Sequence, residues 1–449
     1  MPSVLGIDLG LSGTRAAVMD TGGRVLGHGR AYRTDMEGAG GEMMHHPAGW
    51  TTDMAAAARA ALASAEVGNV DAVAVGAFGP VPVVLDRDLQ PISPVPISSL
   101  DPVGARLEAW RRDAPALFER AAWVVDVTGY LVSTLVGRPV MDTITASDHE
   151  PVGERVAPRP EPDDALAVAG GLTRDAAGRL GLVAGTPVTV GTYDTFVDLA
   201  GLGVREVGDA GLLLGSTLNI GVIRTDAEAP PGLRASRHVG AGWFVGGWTS
   251  SAGRALDWCL GLFPASDRAS IEDAAGRLAP GAGGLVTLPY LDGERAPVWD
   301  PLARGAVLGL RSATTPAQLY RSVLDGVALT AADLARRLRS VRHPSRTWCV
   351  SGGGARNAAW VHATADALGE PLEVVDLGGA GGAARFGLRA LGADAPPVSS
   401  RIVEPDASRH ACAVELLEIG EGLYASLTER MRSLGSLEQR ASEASGHDR

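Results

Sequence analysis

A strand–turn–strand unit near the start of this chain is met again about midway along it, and that repetition narrows the fold more than any other pattern. Val4-Leu5-Gly6-Ile7-Asp8 reads as an apolar strand, Leu9 to Gly13 as a tight polar turn, and Arg15 to Met19 as a second strand. Asp209 to Ile223 repeats the layout: Gly211-Leu212-Leu213-Leu214, the turn Gly215-Ser216-Thr217, then Asn219 to Ile223. A period of roughly 200 residues is far too long for a solenoid and predicts one fold used twice. The chain has 449 residues, too many for one ordinary core, which gives the same expectation of two domains. The boundary is expected near Gly208, with domains over 1–207 and 208–440 and a polar tail over 441–449 that frays.

Between the two units, strand and helix patterns alternate. Helical periodicity runs from Trp50 to Ala65, Val70 to Ala77 is a continuous apolar strand, and Pro82 to Leu85 follows a Gly-Pro break. Alternation of this kind predicts an α/β layered architecture. The Pro-, Glu- and Arg-rich stretch 151–164 reads as an exposed loop.

Composition then removes several function classes. The chain is 45% hydrophobic and 20% charged, as expected of a soluble globular protein. Its net charge of -12 argues against nucleic-acid and anionic-membrane partners, although backbone N–H groups can still bind phosphate. No apolar run approaches the ~20 residues of a membrane span. Met1 to Ala17 lacks a basic leader followed by an apolar run. Cys259, Cys349 and Cys412 stand too far apart for a disulfide framework or a zinc spacing, and a cytoplasmic location is expected. No lysine is present. A Walker-A loop, a protein-kinase strand lysine and a Schiff base are therefore all excluded.

Three segments carry chemistry. In Gly6-Ile7-Asp8-Leu9-Gly10-Leu11-Ser12-Gly13-Thr14-Arg15, the glycines let a phosphate approach the backbone. Asp8 at a strand end can hold Mg²⁺, and Ser12 or Thr14 can donate to phosphate oxygens; a plain β-hairpin is the alternative. In Gly191-Thr192-Tyr193-Asp194-Thr195, an Asp between strand and helix can act as a general base or simply cap the helix. Gly352-Gly353-Gly354-Ala355-Arg356-Asn357 follows the strand Trp348 to Ser351 and opens a helix over Ala358 to Leu368, with room for a flat ring or a phosphate. Its glycine spacing is not that of a dinucleotide fingerprint. His45-His46 reads as structural, because adjacent side chains point apart and no third ligand stands nearby. The Arg336-Arg337-Leu338-Arg339 run reads as a solvated helix face. Asp142 and Asp148 are explained by turn chemistry.

The order and spacing of these segments resemble the FGGY carbohydrate kinases of the hexokinase/actin/chaperone superfamily. The most specific stretch runs from Leu288 to Leu310, Leu-Pro-Tyr-Leu-Asp-Gly-Glu-Arg-Ala-Pro-Val-Trp-Asp-Pro-Leu-Ala-Arg-Gly-Ala-Val-Leu-Gly-Leu, and Leu319 to Ala328 resembles the helix that follows it in that family. The resemblance extends from Leu5 to about Leu391. It implies an α/β fold of two actin-like ATPase (ribonuclease H-like) domains with an interdomain cleft, sugar on the N-terminal side and ATP on the C-terminal side. It implies ATP-dependent phosphorylation of a sugar or polyol, such as the ketopentose xylulose, with ATP and Mg²⁺ as cofactors. By position, Asp194 falls on the catalytic base and Asp8 on the metal site. Ser12, Gly13 and Thr14 fall on the first phosphate loop, and Gly215, Ser216 and Thr217 on the second. Gly353, Gly354, Ala355 and Asn357 fall on the adenosine loop, and Phe78, Gly79, Pro80 and Asp101 on the sugar site together with Asp194. Homodimers are common among such proteins. The chain also departs from the pattern: Leu11 replaces the usual Thr, Ser99-Leu100-Asp101-Pro102-Val103 lacks the common Trp and Arg, and Gly378 to Ala383 lacks the usual Glu. These departures open two other readings: a sugar-binding or regulatory protein with little turnover, and a sugar-independent ATPase of the same superfamily.

Overall fold

The structure is a computed structural model that describes residues 2–33, 36–39, 42–97, 103–148, 157–240, 242–342, 347–393, 395–396 and 399–446. The chain forms two compact units. The first contains Met1–Glu206 together with Ser236–Trp243 and Leu377–Val398, and the second contains Val207–Ala235, Phe244–Asp376 and Ser399–Arg449. Two short segments thus belong with the first unit although they follow Gly208, where sequence alone places a linear boundary.

The sheet of the first unit runs Val168–Gly171, Pro187–Thr189, Ala72–Ala77, Ser3–Gly10, Gly13–Asp20, Val25–Tyr32, with Thr192–Tyr193 pairing alongside Ala72–Ala77. Ser3–Gly10, Gly13–Asp20 and Val25–Tyr32 are antiparallel, and Ala72–Ala77 lies parallel to the first. Val4, Leu5, Ile7 and Leu9 are all fully buried. A strand buried on both faces has no reason to alternate, which is why it reads as a near-continuous apolar run. The hairpin turn is tighter than expected, since Gly10 pairs with Gly13 and only Leu11 and Ser12 lie between.

Glycines bring helices onto both faces of this sheet. The register aligns Gly27 with Val18 and Leu5, and Gly29 with Ala16 and Ile7, so these glycines face the side opposite Gly6. A Cβ on Gly29 would lie 2.0 Å from Ala57 O of the helix Pro47–Ala65. A Cβ on Gly6 would lie 2.1 Å from Ala384 N of the helix Gly378–Ala390, which arrives from far along the chain. His45 is buried, and its Nδ1 accepts from Trp50 Nε1 at 3.2 Å, as a structural histidine would.

The other seven-stranded sheet, built mainly from residues of the second unit, runs Arg234–Arg237, Trp243–Trp248, Leu218–Arg224, Ala210–Leu214, Trp348–Ser351, Leu372–Val375, Ser400–Val403. Ala210–Leu214 pairs antiparallel with Leu218–Arg224 and parallel with Trp348–Ser351, the arrangement seen around Ser3–Gly10. The repeated hairpin is therefore a repeated sheet. The helix Pro316–Leu338 starts at a capping box of Thr315 and Gln318 and is buried along most of its length. Inside it Arg321 pairs with Asp325 at 2.8 Å, and Asp325 also accepts from Gly281 N at 2.8 Å. The helix Ala407–Gly446 continues through most of the stretch read from sequence as a fraying tail. Among the described residues no helix is long and apolar enough to cross a membrane.

Candidate active site

In the first unit the two-residue turn places Arg15 directly across from Asp8. Arg15 Nη1 donates to Asp8 Oδ2 at 2.9 Å. Asp8 is buried, and its Oδ2 lies only 2.2 Å from where a Cβ on Gly379 would sit, so the helix Gly378–Ala390 can approach because it begins with glycines. Asp194 is the first residue of the helix Asp194–Leu202 and follows directly on the Thr192–Tyr193 strand, which Gly191, with φ +70, leads into. It is not the cap: its Oδ1 accepts from Thr195 N, the adjacent residue, at 2.6 Å.

Charge gathers at this point. Burial, then the Asp8 carboxylate, pushes the Asp194 carboxyl up to about 6. Asp198, one helical turn further on, is pushed well above the ordinary carboxylate range by burial and by both Asp8 and Asp194. Asp8 is itself raised by burial, with Arg15 opposing. Sequence reasoning passed over Asp198 and Arg15. The i,i+4 spacing from Asp194 signals the first, and the two-residue turn, once its register is set, signals the second. Among the described residues no group of three or more His, Cys, Asp or Glu side chains is arranged to hold a metal ion.

The other expected residues of this unit divide. Ser12 is exposed. Thr14 is fully buried, and among the described residues its hydroxyl has no hydrogen-bond partner. The reason is the period of two: Thr14 and Arg15 point to opposite faces, and Arg15 is the one that emerges. Phe78 is buried edge-on to His45 and Trp50, and Gly79 lies against Tyr193, whose Cδ1 would be 2.3 Å from a Cβ there. The Phe78-Gly79-Pro80 segment is thus seated on the residue before Asp194. Asp101 lies outside the described residues.

Behind Tyr193 is a buried acidic network that turn chemistry alone did not suggest. Asp142 accepts from Ile144 N and Thr145 N at 2.9 and 3.0 Å, and also from Thr192 Oγ1 at 2.9 Å. Thr128 Oγ1 donates to Thr192 O at 3.0 Å. Burial, then the nearby Asp142, raises Asp126 to about 7. The segment that presents Asp194 is therefore tied down at Thr192 by both its side chain and its backbone.

In the second unit the Gly215-Ser216-Thr217 turn is accessible and closed by Gly215 N donating to Thr217 O at 3.0 Å. The glycine-rich loop abuts it. Gly352 has φ +97, and a Cβ there would lie 2.5 Å from Leu214 O, at the end of the same hairpin. Gly353 is exposed with open space above it, whereas Gly354 packs on the Trp360 ring and Ala355 is buried. Asn357 caps the helix Ala358–Leu368 by accepting from Trp360 N at 3.1 Å. Gly353 and Arg356 are thus the exposed residues of this loop.

Residues 215–391 match the C-terminal domain of the FGGY family of carbohydrate kinases. The chain is 29% identical over 279 residues to the xylulose kinase of Escherichia coli (strain K12), an alignment covering 59% of this chain and 57% of that protein. It is 28% identical over 199 residues to the gluconokinase of Bacillus subtilis (strain 168), covering 40% and 38%. The chain thus spans about half the length, or less, of these curated relatives. A solved xylulose kinase from Rhodospirillum rubrum superposes with a TM-score of 0.80 at 25% identity, covering 96% of this chain and 99% of that one. A xyloylose kinase from Brucella ovis gives 0.81 at 24% identity over 95% and 99%, which shows the fold. The two sheets are accordingly those of two actin-like ATPase domains. In its second half this chain thus matches the C-terminal domain of the FGGY carbohydrate kinases, and over nearly its whole length it is similar to a solved xylulose kinase.

Proposed function

We propose that this protein is an ATP-dependent kinase for a hydroxyl of a small sugar or polyol, with a ketopentose such as xylulose as the substrate class that its relatives favour. The observation that carries the reading is Asp194: a carboxylate at a strand-to-helix junction, beside Asp8, with its titration raised to about 6. A base of that kind is ionised at neutral pH yet basic enough to take a proton from an attacking hydroxyl. ATP with Mg²⁺, when bound, supplies the phosphoryl group and neutralises its charge.

The chain's own residues supply the rest. Asp194 orients the acceptor hydroxyl and receives its proton. In the first unit Ser12 and Arg15 can donate to phosphate oxygens. In the second unit the backbone N–H groups of the Gly215 to Thr217 turn can do the same. Gly353 and Asn357 flank the place proposed for the adenosine. The residues present fit Mg²⁺ only in one mode, a single carboxylate, Asp8, acting with waters and substrate phosphates; that is the ordinary mode for this ion in kinases. Catalysis by such a site is mostly positioning and electrostatics.

The test is ADP release with Mg-ATP against a panel of ketoses, polyols and aldoses, run beside Asp194→Asn. Stimulation by one compound that vanishes in the variant is the expected result. ATP turnover that ignores every compound, or that survives in Asp194→Asn, sinks the reading.

A further inference from the structure

The Gly215–Thr217 turn does not stand by itself. Ala252 N and Gly253 N, at the start of the helix Gly253–Gly261, donate to Ser216 O at 2.9 Å and Gly215 O at 3.0 Å. Leu218 N, just past the turn, donates to Thr249 Oγ1 at 2.9 Å. The segment Thr249 to Gly253 therefore holds both sides of the turn. That segment is held in its place by two residues far along the sequence. Glu294 Oε1 accepts from Ser250 N, and also from Arg295 N at 2.7 Å. Arg295 Nη2 donates to Thr249 O at 2.8 Å.

Glu294 is only 1% exposed. Burying a carboxylate is expensive, and a glutamine would accept the same two N–H bonds at far lower desolvation cost. Stability alone therefore does not account for an acid at this position. Burial pushes the Glu294 carboxyl up to about 7, and what its ionised form adds is a stiffer bond to Ser250 N, since charge-assisted hydrogen bonds are shorter and stronger than neutral ones. The connection from Glu294 to the turn is complete in named bonds.

We propose that Glu294 and Arg295 are positioning residues for phosphoryl transfer, holding the Gly215–Thr217 turn at the ATP phosphates through the Thr249–Gly253 segment. This rests on the kinase reading above, in which that turn grips the phosphates.

The experiment has two arms on the full chain. In the kinetic arm, Glu294→Ala and Glu294→Gln are compared with wild type using the best sugar of the panel. For Glu294→Ala a fall in kcat of about 10²-fold is expected, as for a misplaced reactive group. The KM for ATP should rise while the KM for the sugar stays within about twofold, and Glu294→Gln, which keeps both N–H bonds but loses the charge, should fall between Glu294→Ala and wild type in kcat and in exchange. In the exchange arm, backbone amide exchange is measured without ATP, where loss of the support should speed exchange at Leu218, Ala252 and Gly253 by about tenfold or more and leave Val350 unchanged. A folded Glu294→Ala with wild-type ATP kinetics and unchanged exchange overturns the proposal. So does equal damage to both KM values, which a general structural defect produces. If Glu294→Ala does not fold, Glu294→Gln carries both arms, and a variant indistinguishable from wild type in both overturns the proposal. Should wild type show no sugar-dependent turnover, the kinase reading fails by itself, and the exchange arm still reports whether Glu294 holds the turn.

Discussion

At Asp194 the acid must be ionised before it can receive a proton, and burial with the neighbouring Asp8 moves that ionisation to about 6. The rate should therefore fall on the acid side with a midpoint near pH 6, two units above an ordinary carboxylate, in a pH profile of kcat/KM for the sugar. Asp194→Asn should lose at least 10²–10⁴ of the rate. Its stability should move the other way. Between 3.8 and about 6 the folded chain keeps a proton that the unfolded chain has lost, so the ionised Asp194 destabilises the fold as pH rises through that window. Asp194→Asn should accordingly melt higher at pH 7, by about 1–2 kcal/mol once its partial exposure is discounted, in a thermal scan. Asp194, Asp8 and the accessible Gly353 were legible in the sequence because each stands within three residues of a glycine at or near the end of a strand, a local pattern. Asp198, Asp142 and the burial of Thr14 were not. They depend on which face of a helix or strand meets which neighbour, and that is decided by register and by packing from elsewhere in the chain.

Elements meet here through glycine more than through large side chains. The helix Gly378–Ala390 lies on Gly6 with backbone atoms 2.1 and 2.4 Å from the position of any added Cβ. Backbone cannot rotate aside as a side chain can. Gly6→Ala should therefore cost about 1–3 kcal/mol or more, seen as a lowered midpoint in denaturant, although alanine is itself a mild substitution in a strand. Within the helix Pro316–Leu338 the Arg321–Asp325 pair is buried and also holds the backbone at Leu278 and Gly281. Removing one partner strands the other charge, so Asp325→Ala should destabilise by ~3–5 kcal/mol. The hairpins themselves were plain in the sequence, because strand, turn and strand are contiguous. The partner of Gly6 was not, because it stands nearly 380 residues further on.

For the whole molecule, the division into two units is not a division of the sequence at one point. The first unit takes its second face from Leu377–Val398. A fragment ending at Glu206 should then lack a fixed tertiary structure, shown by weak near-ultraviolet dichroism and fast amide exchange in Ser3–Gly10. Adding a peptide of residues 377–398 should restore protection at Gly6 and Ile7, and no change on addition would show that the helix is dispensable to the first unit. The likeness to the FGGY carbohydrate kinases could be read from Leu288 to Leu310 because that stretch is continuous, whereas the composition of the units could not, since contacts between distant segments leave no periodicity to detect. There is also an order in time to this arrangement. A ribosome adds roughly 5–20 residues each second. The strands of the first unit are therefore exposed for about 10–40 s before the helix Gly378–Ala390 emerges to cover them, an interval in which a nascent-chain chaperone has an apolar sheet face to hold.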